Sequence, residues 1–184
     1  MSLINAALLA KVYGCLPDRA AVWAPHIAAA CDTFDINTPK RVAAFLAQIG
    51  HESGRLRYAR EIWGPTPAQT RYEGRADLGN TKPGDGKRYM GRGLIQTTGR
   101  FNYAKTRDGL AKFCAVPDFE LYPQELESAQ WAAMSAGWYW KTKGLNELAD
   151  AGSFETITKR INGGLNGIAD RLAIHSVAQN AMLA

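Results

Sequence analysis

The chain is short of the features that tie small proteins to covalent or metal frameworks. Its 184 residues include only three cysteines, Cys15, Cys31 and Cys114. Their number is odd and their spacing wide, so they build neither a disulfide framework nor a zinc-ligand pattern. They read as buried free thiols in a reducing compartment. No apolar run approaches bilayer-spanning length, which argues against stable membrane insertion. The opening M-S-L-I-N-A-A-L-L-A-K lacks a basic leader and carries Asn5 among its apolar positions. It predicts an amphipathic first helix and no signal peptide, hence cytoplasmic synthesis without an export signal of its own. Runs of β-branched residues are scarce, and there are no repeats, low-complexity tracts or linkers. The expectation is one mainly α domain over 1–184.

The composition that is present is ordinary for a globular protein, with 46% hydrophobic and 21% charged residues. The net charge of +5 favours an anionic partner: nucleic acid, an acidic polymer or a charged envelope. The base is spread along the chain, and no recognition-helix or RNA-module motif accompanies it, so nucleic acid is set aside. Helical spacing predicts helices over 3–13, about 18–32, 38–53, 100–113, 124–142, 144–150, 153–161 and 167–183. Thr38, Thr66 and Ser153 stand as caps, and Pro39 suits a first helical position. Between Gly64 and Gly99 the chain turns rich in Gly, Pro, Thr, Asp and Arg. This stretch predicts a short helix near 67–73 and a long ordered loop, with a small hairpin through K-P-G-D-G-K. Aromatic W-Y-W at 138–140 could stack on sugars, but Trp131 and Trp138 are expected in the core. His26 reads as an ordinary core or surface histidine.

Two carboxylates carry the chemical signal. Val42, Phe45, Leu46 and Ile49 form an apolar face, and Glu52 continues it three positions on. Apolar surroundings would keep such a carboxyl protonated, as an acid. Gly50 and Gly54 flank it and leave room for a ligand. Glu61, nine positions later, lies near Arg57 and Arg60, with Arg71 and Arg75 further along. Those cations would hold it ionised, as a base. Glycosidic cleavage needs such a pair. Glu73, between Arg71 and Arg75, is the rival second carboxylate and reads equally as an ion-pair organiser of the loop; Glu61 is ranked first. In G-R-G-L-I-Q-T-T-G-R-F-N-Y, residues 91–103, Gly91 and Gly93 free the backbone to curl against a ligand. Gln96, Thr97, Thr98 and Asn102 offer neutral donors and acceptors suited to sugar hydroxyls and N-acetyl groups. No Walker pattern follows, so phosphate is a poor second. Asn162 in I-N-G-G is a helix-end turn residue or a sugar contact. Arg171 could buttress a carboxylate. Neither a metal nor a cofactor is called for.

H-E-S-G at 51–54, Y-M-G-R-G-L-I-Q-T-T-G-R-F-N-Y at 89–103 and I-N-G-G at 161–164 resemble family 19 glycoside hydrolases, in the right order and across most of the chain. D-L-G-N-T and P-G-D-G resemble the bacterial and bacteriophage endolysin branch. The resemblance implies a lysozyme-like, two-lobed helical fold and an inverting mechanism on a β-1,4-linked N-acetylated glycan. It implies Glu52 as general acid, Glu61 as general base and Thr98 as a holder of the attacking water. Gln96, Asn102, Tyr103 and Asn162 fall at substrate-contacting positions, with Glu73 and Arg171 added from the residue reading. The expected activity is a peptidoglycan-cleaving muramidase of a monomeric chain, with holin-dependent release to the cell wall. The alternatives are a chitinase and a glycan-binding module without turnover.

Overall fold

The computed structural model describes residues 3–183. Met1, Ser2 and Ala184, included in the single-domain expectation, lie outside the described residues. Three helices come first, α1 (Ala6–Tyr13), α2 (Pro17–Thr33) and α3 (Pro39–Glu52). The loop region holds three single helical turns among the described residues, α4 (Pro67–Thr70), a 3-10 turn (Ala76–Leu78) and α5 (Asp85–Arg88). Five further helices follow: α6 (Arg100–Leu110), α7 (Ala129–Thr142), α8 (Leu145–Asp150), α9 (Phe154–Asn162) and α10 (Ile168–Leu183).

α3 is the central element. Thr38 is extended and its Oγ1 accepts from the Arg41 N–H, while Pro39 opens the helix with its fixed φ. Residues 42–50 are all buried, so the helix is enclosed on several sides. It packs chiefly against α10, and α1 bridges α10 and α2, which in turn lies on α7. Phe45 meets Trp140 of α7 edge to face at 5.3 Å. Burying each large side chain here, such as Leu46 or Ile49, contributes about 1.5–3 kcal/mol. The Trp140 indole donates to Asn146 at 2.9 Å, and Asn146 donates to the Phe34 carbonyl at 3.0 Å, so the deepest polar atoms are paired.

Four local expectations change. The predicted 124–142 helix is a 3-10 turn, Pro123–Glu127, followed by α7. Ser128 is extended between them and caps α7 at the Trp131 N–H. The K-P-G-D-G-K stretch forms α5 instead of a hairpin. The Asp85 side chain accepts from the Lys82 N–H at 3.0 Å and from Arg100 at 2.6 Å, which winds the backbone inwards. Among the described residues β pairing is limited to the isolated bridges Arg60–Arg92 and Arg92–Thr97. Ser153 makes no side-chain cap bond. Of the three thiols only Cys31 is buried; Cys15 is intermediate and Cys114 exposed. The long loop is ordered, as expected, with Tyr89, Met90 and Leu94 buried.

Gly50 does not make room for a ligand. A Cβ there would stand 2.4 Å from the Tyr13 ring. That ring is buried, and its hydroxyl donates to the Leu46 carbonyl at 2.9 Å, so it cannot swing aside. Gly50→Ala should gain about 1 kcal/mol in helix propensity and lose about 1–3 kcal/mol to overpacking. The expected net is a lower thermal midpoint, partly restored by adding Tyr13→Leu. An unchanged or raised midpoint for the single variant would show that α1 and α3 are not in this close contact.

Candidate active site

Glu52 is the last residue of α3, and a buried arginine from α10 holds it. Arg171 is only 1% exposed. Its Nη2 donates to Glu52 Oε1 and its Nη1 to Gln48 Oε1, both at 2.5 Å. Gln48 lies one turn before Glu52 on the same face of α3, and its Nε2 donates to Thr158 of α9 at 2.9 Å. A buried guanidinium persists only when its donors are satisfied, and this chain satisfies them. A second clamp lies alongside: Asp170 accepts from Arg55 at 2.6 Å and stands 2.7 Å from His51 Nδ1. Burial pushes the Asp170 carboxyl up, but the bonds from His51 and Arg55 outweigh it and hold it below the usual range. Glu52 thus ends its apolar face against a cation, not in the purely apolar setting expected. Arg171, expected both as a carboxylate buttress and as a substrate contact, is too enclosed for the second and does the first, holding Glu52.

Glu61 is built differently. Its Oε1 accepts the Gly91 N–H at 2.6 Å and its Oε2 the Gln69 amide at 3.2 Å, while its own N–H donates to the Gly91 carbonyl at 2.9 Å. Gln69 is itself fixed in a capping box with Thr66. None of the arginines expected around Glu61 is paired with it among the described residues: Arg60 pairs with Glu127 at 3.6 Å and Arg75 with Asp77 at 2.5 Å, while Arg57 and Arg71 form no ion pair. Tyr72 lies beside Glu61; burial first, then the Glu61 charge, pushes its phenol above the usual value.

Glu52, Glu61 and Gln96 line one hollow of about 290 Å³, together with Tyr58, Arg60 and Ile62. On the Glu61 side it runs into a larger hollow of about 740 Å³, sharing Tyr58, Arg60, Glu61 and Ile62 with it. On the other side Gln96 also borders a hollow of about 340 Å³ lined by Thr98, Asn102, Trp138 and Tyr139. The three make one groove with the two carboxylates at its middle. Gln96 is held at φ +52°, a left-handed conformation that costs a non-glycine residue about 1–2 kcal/mol. Thr98 Oγ1 donates to the Gln96 carbonyl at 3.0 Å, and Asn102 donates to the Thr98 carbonyl at 2.7 Å. Gly91 and Gly93 face protein: a Cβ on Gly91 would meet Gln96 Oε1 at 2.7 Å, and one on Gly93 would meet Ser135 Oγ at 2.9 Å.

Other predicted residues fall elsewhere. Tyr103 is fully buried, and its hydroxyl donates to the Met90 carbonyl at 2.5 Å and accepts from Arg92; it is core, not a substrate contact. Both Glu73 oxygens accept backbone N–H groups, Gly84 at 2.6 Å and Gly86 at 2.8 Å. It clasps the N-terminal end of α5 in place of the ion pairs expected with Arg71 or Arg75. Asn162 ties the turn after α9, donating to the Asn166 carbonyl and accepting from the Gly164 N–H. Trp138, expected in the core, is half-buried on the groove wall, and Gly109 of α6 leaves space for its indole. Tyr139, in the W-Y-W run offered for sugar stacking, lines the same hollow, and the sequence reading missed Gln48. Gln48 carried a signal, a polar residue within the apolar face one turn before Glu52.

No family model matches the chain. A glycosyl hydrolase family 19 domain-containing protein of Haemophilus influenzae is 35% identical over 161 residues, covering 72% of this chain and 76% of that protein. Two endochitinases of Arabidopsis thaliana are 35% identical over 125 residues and 31% over 161. They cover 68% and 85% of this chain, which spans 40% and 52% of their lengths. Among solved structures, chitinase C from Streptomyces griseus HUT6037 superposes with a TM-score of 0.75 at 21% identity, over 98% of this chain and 77% of that one. A bacterial family 19 chitinase gives 0.75 at 22% identity, over 97% and 94%. The fold shared with them is the lysozyme-like helical one.

Arg171→Met strands Glu52 and Gln48 without their donor, and the expected stability loss is about 3 kcal/mol by chemical denaturation; a loss below about 1 kcal/mol would mean the pair is not buried in solution. Asp170→Asn tests the second clamp through pH. A carboxyl lowered on folding stabilises above its unfolded value, near 3.9, and loses that contribution as pH falls through the folded value. The variant should therefore be less stable than wild type at pH 7, by up to about 1 kcal/mol for so exposed a pair. The two denaturation curves should converge in strong acid, and a gap independent of pH would refute the clamp.

Proposed function

Since the chain belongs to glycosyl hydrolase family 19 and is a glycoside hydrolase, we propose that it cleaves the β-1,4 bond between N-acetylmuramic acid and N-acetylglucosamine in peptidoglycan, with inversion. The observation that carries the hydrolytic part is the shared hollow of Glu52 and Glu61 at mid-groove. Glu52 protonates the leaving oxygen. Arg171 occupies its Oε1, and among the described residues no protein partner holds its Oε2. Glu61, steadied by Gly91 and Gln69, takes the proton of a water on the opposite face of the sugar. Inversion asks for carboxyls roughly 6.5–9.5 Å apart so that the water fits between them. Thr98 helps hold that water, and Gln96 and Asn102 contact the sugar.

The net charge of +5 and the basic side chains Arg57, Arg60 and Lys87 along the groove support an anionic glycan as substrate. Delivery to the cell wall by a separate pore-forming partner, in the manner of an endolysin, goes with this reading. Chitin is the second reading, favoured by the names of the plant relatives and by the neutral, aromatic half of the groove.

The test is clearing of outer-membrane-permeabilised Gram-negative cells, with released reducing ends counted and the anomer of the fresh product read by NMR. Glu52→Gln and Glu61→Gln should each lose about 100-fold or more, the usual worth of a positioned acid or base. The first-formed product should be the α-anomer. A β-anomer would exclude inversion, and an active Glu61→Gln would move the base elsewhere. Turnover of chitin oligosaccharides without clearing would give the second reading. A Glu52→Gln protein that retained full biological effect would be a binding module.

A further inference from the structure

The two arms of the groove differ in charge. On the Glu61 side Arg57, Arg60 and Lys87 line the hollow, with Trp63 and Met90 as its apolar wall. Arg60 shares Glu127 with Arg92, which lies at 2.7 Å from the other oxygen, so its charge is largely answered. Arg57 and Lys87 have no acidic partner among the described residues. Solvated cations are common on any surface. These two stand on the wall of one hollow beside a catalytic candidate, with a half-buried indole between them in the chain. The opposite arm offers Gln96, Thr98 and Asn102 as neutral groups and Trp138 and Tyr139 as ring surfaces. Lys143, the one cation on its lining among the described residues, lies over the Tyr139 ring at 5.6 Å, so this arm carries one cation against the two without an acidic partner on the other.

We infer that Arg57 and Lys87 form an anion subsite for the lactyl-substituted sugar of an alternating glycan, meeting the carboxylates of its stem peptide or, where the peptide is absent, the free lactyl carboxylate, and that the Gln96 arm takes the neutral N-acetylated sugar. The inference rests on the peptidoglycan reading and deepens it. It has a consequence for the bond that is cut. An alternating polymer presents two kinds of β-1,4 linkage in strict succession. A groove with like arms would accept both registers. A groove whose arms differ in positive charge favours a single register of the polymer, so one kind of linkage lies over Glu52 and Glu61.

The experiment compares wild type with Arg57→Ala/Lys87→Ala and with the charge-keeping Arg57→Lys/Lys87→Arg. The substrates are purified peptidoglycan sacculi, the same sacculi with their carboxylates amidated, and soluble chitin oligosaccharides. On native sacculi the alanine pair should lose about tenfold in kcat/KM, chiefly through KM, the size expected of two exposed charge contacts. On the amidated and neutral substrates its loss should be under about threefold, and the charge-keeping pair should stay near wild type on all three. Mass spectrometry of wild-type products should find one kind of sugar at the new reducing ends. Equal losses on charged and neutral substrates, or mixed reducing ends from wild type, would overturn the inference and leave the peptidoglycan reading intact. If wild type turns over chitin oligosaccharides and leaves native sacculi uncut, the peptidoglycan reading falls and the subsite with it.

Discussion

A guanidinium almost wholly removed from water is the constraint on which the rest depends. Arg171 cannot be buried alone, because an unpaired cation in a protein interior costs several kcal/mol. Its donors are met only if α10 docks on α3 with Gln48 and Glu52 opposite it. Gln48 in turn needs Thr158, which draws in α9. The apolar contact between α3 and α10 supplies the driving force, and the polar chain inside it supplies the register. A one-turn slip of α10 would keep much of the apolar burial and strand the arginine. Folding the core and aiming Glu52 are therefore one event.

The second carboxylate is held by means of another kind. Glu61 sits in a loop region with almost no regular structure, where side chains do the work of a ladder. Gln69 donates to Glu61 and to the Ile62 carbonyl and accepts from Gly64 and Thr66. Asn80 joins the Tyr72 carbonyl to the Arg100 N–H, and Asp85 joins Lys82 to Arg100. Gly91 is the meeting point. Its backbone pairs with Glu61 on one side, and its missing side chain admits Gln96 and Thr98 on the other. The groove thus joins a rigid helical wall to a loop wall stiffened by many local bonds.

The helical wall was legible in the sequence, because its signals are local. Thr38-Pro39 and the Val42–Ile49 spacing define α3, and the apolar periodicities define α2, α6 and α10 within a few residues. Glu52 and Glu61 were legible as a pair, and the groove does bring them together. What was not legible is partner choice. Arg71 and Arg75 are close to Glu73 in sequence, yet Glu73 turns to the N–H groups of Gly84 and Gly86, and Arg75 to Asp77. A carboxylate in a loop satisfies itself with whatever donors the turn geometry presents, and that geometry is set by contacts more than ten positions away. Tyr103 misled for the opposite reason. It shares a motif with polar groove residues but faces inward on α6, where helical periodicity, not motif membership, decides exposure.

The division between the two walls bears on how this fold accommodates different glycans. The Arg171 chain holds Glu52 and the Gly91 and Gln69 bonds hold Glu61, the two carboxylates of the central hollow. Arg57 and Lys87 on one arm, and Asn102, Trp138 and Lys143 on the other, are not members of either network. Changing the charge of an arm therefore leaves the buried polar chain and the Gly91 contacts untouched. Packing draws on α3, α7 and α10, the two carboxylates on the end of α3 and the 61–98 loop, and the two arms on side chains outside both networks. On the proposed reading, a groove assembled this way exchanges a neutral polymer for an acidic one without disturbing the Glu52–Glu61 pair at its middle.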